Sequence, residues 1–171
     1  MAVIDDEGNP CPPGVMGQIA VRRPDPVMFL NYWNRPEATS AKYRGEWLLT
    51  GDLARKDEDG YFHFLGRDDD IITSAGYRIG PAEIEDVLLR HPAVQIAAVV
   101  GKPDALRTEI VKAFLVLRPG FEPGEGLVAE IQAFVRTQLA AYEYPREIAF
   151  VDEMPMTTTG KVIRRVLRDM D

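Results

Sequence analysis

One lysine stands out for the loop that carries it. Thr157-Thr158-Thr159-Gly160-Lys161 is a polar, glycine-containing segment of the kind that meets phosphates. A Walker A loop needs a second glycine five residues before the Gly-Lys pair and a hydroxyl residue after it. Pro155 and Val162 occupy those places, so that loop is rejected. What remains is a flexible loop delivering an ammonium, which can meet charge developing on a phosphoryl or carboxylate oxygen. The plainer reading is a surface lysine at a helix start, where a cation opposes the helix dipole. Asp52, after Thr50-Gly51, reads as a turn residue, or as a bidentate acceptor for two ribose hydroxyls. Asp68-Asp69-Asp70 lacks the alternating ligands, glycine and distal glutamate of a calcium loop, and reads as a solvated break. No metal site is expected. His63 and His91 have no metal-ligand spacing, and His63 in an aromatic run reads as a packed histidine. Cys11 is the single cysteine and sits among prolines and glycine, so neither a disulfide framework nor a cysteine nucleophile is supported.

These residues need elements to hold them. The chain has 171 residues, 46% hydrophobic and 27% charged, which is globular composition with room for one domain or two small ones. Nowhere does an apolar run approach the ~20 residues of a membrane span. The opening Met1-Ala2-Val3-Ile4-Asp5-Asp6-Glu7 lacks the basic start and apolar core of a signal peptide. Together with the lone cysteine this gives a reducing, cytoplasmic setting as the expectation. The net charge of −7 argues against a nucleic-acid surface, so an anionic ligand must be met by local clusters such as Lys161, Arg164, Arg165 and Arg168.

The first third is rich in turn signals, with a strand at 18–21 and a short helix entered near Pro36. Strands at 53–56 and 61–65 flank Asp57-Glu58-Asp59-Gly60, a hairpin signal, and the aromatic 61–65 strand reads as buried on most of both faces. After Gly66 the pattern changes. Strands at 71–74 and 77–79 flank Ala75-Gly76, and Pro81 opens a helix with Ile84, Val87 and Leu88 on its apolar face. Strands follow at 94–100, 110–117 and 147–151, with a helix over 127–139. A last helix places Val162, Ile163, Val166, Leu167 and Met170 on one face and Lys161, Arg164, Arg165 and Arg168 on the other. The expectation is an α+β chain: a β-rich piece over 1–68, then a lobe over 69–171 with a central sheet flanked by helices.

Several strings occur in one order. They are Thr50-Gly51-Asp52-Leu53, Asp59-Gly60-Tyr61-Phe62, Gly66-Arg67-Asp68-Asp69-Asp70-Ile71-Ile72 and Ser74-Ala75-Gly76-Tyr77-Arg78-Ile79-Gly80-Pro81-Ala82-Glu83-Ile84-Glu85. Tyr144-Pro145-Arg146 and Met154-Pro155-Met156-Thr157-Thr158-Thr159-Gly160-Lys161 follow, with Arg164-Arg165. Each is weak alone. Their order and spacing together resemble the C-terminal part of an AMP-forming acyl-CoA synthetase, most nearly the medium-chain branch. That superfamily also holds adenylation domains and luciferases.

The resemblance implies that 1–68 is the end of a large N-terminal domain and 69–171 a small mobile domain. It implies activation of a carboxylic acid, medium-chain fatty or aryl, by ATP to acyl-AMP, then transfer to coenzyme A. Mg2+ would be bound mainly through the nucleotide. By the same resemblance Asp52 holds the ribose, Arg67 contacts the nucleotide and Lys161 stabilises the adenylation transition state. Asp69 is the hinge. Ala75, Gly76 and Tyr77 line the pantetheine tunnel, and Arg78 faces the acyl-phosphate region. Arg107, Arg136, Tyr144, Pro145 and Arg146 meet coenzyme A. Met156 and Glu143 depart from the family pattern, an acid at 143 opposing coenzyme A phosphates. No segment resembles the family's ATP loop or acyl pocket, so the expected partner is a large domain of the same chain, and the piece alone is expected to be inactive. Two alternatives stay open: an adenylation domain loading a carrier-protein thiol, and a non-catalytic interaction lobe.

Overall fold

The computed structural model describes residues 1–170, which divide between Asp69 and Asp70 into two compact units. The sequence-expected division at 68/69 and this one differ by a single residue.

The first unit is an antiparallel sheet. β1 (Ala2–Ile4) pairs with β2 (Met16–Arg22), and β2 with the ten-residue β4 (Trp47–Lys56). The other side of β4 takes β3 (Tyr43–Arg44) along its first half and β5 (Phe62–Arg67) along its second. A short helix, α1 (Pro36–Ser40), precedes β3 with its proline in the favoured first turn. Val3, Ile4, Ala20, Leu48, Leu53 and Ala54 form the core. The β4–β5 turn closes as the Asp-Gly signal predicts, Asp57 N–H donating to Tyr61 O at 3.0 Å and Gly60 N–H to Asp57 O at 3.2 Å.

Three expectations fail in this unit. The aromatic strand is not buried: Tyr61 is 72% and Phe64 59% exposed. Among the described residues β5 pairs with β4 alone, and of its six residues only Gly66 is buried. His63 is not packed either. It is exposed, with Nε2 2.7 Å from Asp57 Oδ2, and this bond is the largest cause holding the Asp57 carboxyl below its ordinary range. Asp52 is not a turn residue but lies inside β4, because Gly51 takes φ +84° in a bulge after which β5 pairs from Asp52 and β2 again from Leu53.

The second unit is α+β. β8 (Val94–Asp104) and β9 (Thr108–Leu117) form a long antiparallel hairpin, and β10 (Glu147–Phe150) runs parallel to β9. A smaller hairpin, β6 (Ile72–Ser74) and β7 (Tyr77–Ile79), joins β9 through Ser74 opposite Thr108. Successive residues of a strand face opposite ways, and here both faces are apolar. Val99, Val111, Ala113 and Leu115 pack with Ile84, Val87 and Leu88 of α2 (Pro81–Leu89) and Ile131 and Val135 of α3 (Glu125–Arg136). Ala98, Val100 and Phe114 pack on the other face with Met154 and with Leu167 of α4 (Arg164–Arg168). Each large side chain buried in this way contributes roughly 1.5–3 kcal/mol.

Two expectations need correction here as well. The last helix is only Arg164–Arg168, and Val162 instead bridges to Met156, so Lys161 lies in a tight turn before the helix rather than on its face. The acidic run is not a fully solvated break. Asp68–Asp70 form a 3₁₀ turn, and the Asp70 side chain, only 13% exposed, is bonded to Arg164 and Arg168, partners some 95 residues away that local pattern does not reveal.

Candidate nucleotide and thiol site

In the first unit, Asp52 and Arg67 are cross-strand partners of β4 and β5. Arg67 Nη1 donates to Asp52 Oδ1 at 3.2 Å, and its Nε donates to Asp69 Oδ1 at 3.1 Å. The Asp69 bond is the largest cause raising the Arg67 pKa, with Asp52 adding to it and burial opposing it. Thr50 Oγ1 donates to Ile19 O at 2.9 Å and accepts from Asp52 N–H at 3.1 Å, which fixes the backbone under the carboxylate. A Cβ on Gly51 would lie 3.1 Å from Arg67 Nη2, so only glycine leaves the guanidinium this place while tolerating φ +84°. The carboxylate is partly exposed and a carboxylate has about four acceptor sites, so Asp52 can receive ligand hydroxyls while still bonded to Arg67.

In the second unit the β6–β7 tip is a tight turn with Ala75 at φ +50° and Gly76 at φ +85°, the pattern of a type I′ hairpin. A Cβ at Gly76 would meet nothing within 4 Å, so this backbone presents an open edge. Ala75 N–H donates to Arg107 O at 2.9 Å, which brings Arg107 from the β8–β9 turn beside the tip. Tyr77 stacks on Tyr142, ring centroids 4.0 Å apart and 8° from parallel. Tyr142 shares its turn with Tyr144, whose ring carries the Arg136 guanidinium at 3.9 Å and that of Arg146 at 5.2 Å. Arg146 is fixed by its N–H to Val111 O at 2.8 Å, and Gln132 Nε2 donates to Pro145 O at 3.0 Å. Held on an aromatic face, an arginine keeps its outward N–H groups for phosphate. Glu143 serves its own turn, Oε2 accepting from Ala140 N–H at 2.9 Å.

Lys161 heads a separate loop. Its N–H donates to Thr157 Oγ1 at 3.0 Å, and its O accepts from Thr157 N–H at 2.8 Å. Among the described residues no hydrogen bond or ion pair joins the Lys161 side chain to the tyrosine–arginine cluster. Arg78 lies on β7 opposite Thr73 and is exposed. Tyr142 was missed by sequence reasoning; its signal is an aromatic two residues before Tyr144 in a turn. Asp70, Glu85, Arg164 and Arg168 were missed as a group, and only the i, i+4 spacing of the two arginines hints at it.

Residues 83–161 match the AMP-binding enzyme C-terminal domain. The mitochondrial acyl-coenzyme A synthetase ACSM5 of Mus musculus is 50% identical over 99% of this chain and 30% of its own length. An acetyl-coenzyme A synthetase of Bacillus subtilis is 48% identical over 98% of this chain and 29% of its own. The chain thus spans about a third of the relatives it matches. Among solved structures, an anthranilate CoA ligase bound to anthranoyl-AMP matches with TM-score 0.86 and 41% identity, over 98% of this chain and 32% of that one. A benzoate CoA ligase from Burkholderia xenovorans matches with TM-score 0.82 and 39% identity, over 98% and 33%. The match groups residues 83–161 with AMP-binding enzyme C-terminal domains, and nearly the whole chain is similar to about a third of two coenzyme A synthetases.

Proposed function

We propose that this chain supplies the C-terminal part of an acid–thiol ligase that uses ATP to turn a carboxylic acid into acyl-AMP and then passes the acyl group to coenzyme A. The observation that carries this reading is the clustering of the 75–77 tip with Arg107, and of Tyr77 with the turn on which Arg136 and Arg146 are stacked, in a chain of net charge −7. An acidic protein that concentrates arginines beside an open backbone edge is suited to a thin, phosphate-bearing ligand.

In this reading Asp52 accepts the ribose hydroxyls and Arg67, held between Asp52 and Asp69, steadies the carboxylate and adds positive charge near the nucleotide. Lys161 meets charge developing at the α-phosphate as the acid attacks and pyrophosphate leaves. Such transfers depend on positioning and charge stabilisation more than on covalent help from the protein. The 75–77 edge takes the pantetheine arm, and Arg107, Arg136 and Arg146 with Tyr144 and Pro145 hold the phosphate end. Arg78 faces the acyl phosphate. Asp69 absorbs the backbone change between half-reactions. Mg2+ arrives with ATP. The acid is a medium-chain fatty or aryl acid, and the two half-reactions need a large domain in the same chain.

Acid-dependent pyrophosphate–ATP exchange tests this. The longer chain carrying this sequence should exchange, and the 171-residue chain should not. Exchange by the 171-residue chain would refute the need for a large domain. Its absence from the longer chain with every medium-chain and aryl acid would refute the substrate class.

A further inference from the structure

Arg164 sits three residues after Lys161 and is held by three side-chain hydrogen bonds. Its Nη2 donates to both oxygens of Glu85, at 2.7 and 2.8 Å, and its Nη1 to Asp70 Oδ2 at 3.3 Å. Arg168, one turn on, donates to Asp70 Oδ1 at 2.7 Å. The carboxylates are 13% and 16% exposed, and Arg164 is 22% exposed, with a buried Nε that finds no partner. Glu85 also accepts from Val99 N–H at 2.8 Å. Three distant pieces thus meet on α4: the first residue of the lobe, helix α2 and strand β8.

The loop carrying Lys161 is the direct continuation of this anchor. Residues 155–163 fold as a small hairpin, with Ile163 N–H on Pro155 O at 2.8 Å and Met156 bridged to Val162. Both its ends are fixed in the same core, by Met154 before it and Leu167 after it. Its tip, by contrast, is exposed and held only by local bonds from Thr157. The direction of the tip is therefore set where the hairpin runs into α4.

We infer that Asp70, Glu85, Arg164 and Arg168 are positioning residues for Lys161, fixing the loop that carries its ammonium and linking that loop to the first residue of the lobe. This rests on the reading of Lys161 as the adenylation cation. It goes beyond that reading in assigning work to four residues that need not touch substrate. An ion network serving stability alone would weaken both half-reactions together. One that aims Lys161 should weaken adenylation selectively, since a misplacement of about 1 Å can cost on the order of 100-fold.

The test uses Arg164→Gln, Glu85→Gln and the milder Arg168→Gln in the longer chain. Pyrophosphate–ATP exchange and thioester formation from supplied acyl-AMP are followed separately. Exchange kcat should fall about 30- to 100-fold in the first two variants and several-fold in the third. The KM for ATP and the thioester step should stay within about 3-fold. Amide order at Gly160 and Lys161, read by ¹⁵N relaxation in the 171-residue chain, should fall in the same rank. Equal loss in both half-reactions, or unchanged exchange, overturns the inference. If Arg164→Gln or Glu85→Gln fails to fold, Arg168→Gln decides. If Lys161→Ala itself keeps exchange, the functional reading of Lys161 fails, and the amide order still decides whether the network holds the loop.

Discussion

Glu147 offers a perturbation whose size can be worked out. On β10 it lies opposite Lys112 of β9 and its carboxylate receives two ammonium groups, Lys112 Nζ at 2.9 Å and Lys102 Nζ at 3.0 Å. The Lys112 side chain is 6% exposed, while Lys102 is 31% and Glu147 37% exposed. The Lys102 pair is in the surface range, worth about 0.2–1 kcal/mol. Breaking a buried pair costs about 3–5 kcal/mol, but the Glu147 end is over a third exposed and solvent screens it. A glutamine there also keeps one oxygen as acceptor. Glu147→Gln should therefore destabilise the chain by about 2–3 kcal/mol at neutral pH, read as a lower urea midpoint.

The effect should depend on pH with a definite sign. The Lys112 bond is the largest cause lowering the Glu147 pKa, with burial opposing it and Lys102 adding to it. A carboxylate with a depressed folded-state pKa stabilises fully above its unfolded value and loses that contribution as pH falls through the folded value. The gap between wild type and Glu147→Gln should be flat at neutral pH and narrow once pH drops below the ordinary carboxylate range. A gap under about 0.5 kcal/mol at pH 7, or one that persists unchanged in acid, would refute the argument.

Gly51→Ala should cost about 1–2 kcal/mol in urea unfolding, since φ +84° is left-handed and the new Cβ crowds the Arg67 guanidinium. In the longer chain it should also raise the KM for ATP; an unchanged KM would separate Arg67 from the nucleotide. Leu167→Ala empties a site 1% exposed beside Phe114 and Met154 and should cost about 2–5 kcal/mol, measured by the same unfolding. Tyr142→Ala removes the stack under Tyr77, worth about 0.5–1.5 kcal/mol beyond area, and should raise the KM for coenzyme A while leaving pyrophosphate exchange unaltered.

Local chemistry made much of this architecture legible. The Asp57–Gly60 and Ala75-Gly76 turns and the proline that starts α2 each act within a few residues and form where that chemistry points, while α3 forms over Glu125–Arg136 and not 127–139, since residues 137–139 leave the helix in a turn. The strands β8 and β9 run longer than their apolar cores, because pairing in a hairpin extends through Lys102, Pro103 and Asp104 to the turn. Elements whose state depends on remote partners were read less well. Thr50-Gly51 looks like a break, yet it is a bulge inside β4: pairing with β2 stops at Leu49 and resumes at Leu53, and β5 takes up the strand from Asp52. The spacing of Val162, Val166 and Met170 suits a helix from 162 onward, but the bridge to Met156 takes Val162 away. Asp70 looks like one of three solvated acids until α4 arrives with two arginines. The candidate site divides in the same way. Its loops and turns carry readable strings, whereas the stacking of Arg136 and Arg146 on Tyr144 depends on α3 meeting the turn before β10, where Gln132 bonds Pro145 O.

Lys161 is proposed to serve the adenylation step and not the thiol step. Lys161→Ala in the longer chain, assayed for acid-dependent pyrophosphate–ATP exchange and for thioester formation from supplied acyl-AMP, tests it most directly. Exchange should be lost by at least about 100-fold while thioester formation stays within about 3-fold of wild type. Exchange that survives, or a thioester step that falls with it, would rule out this role for Lys161.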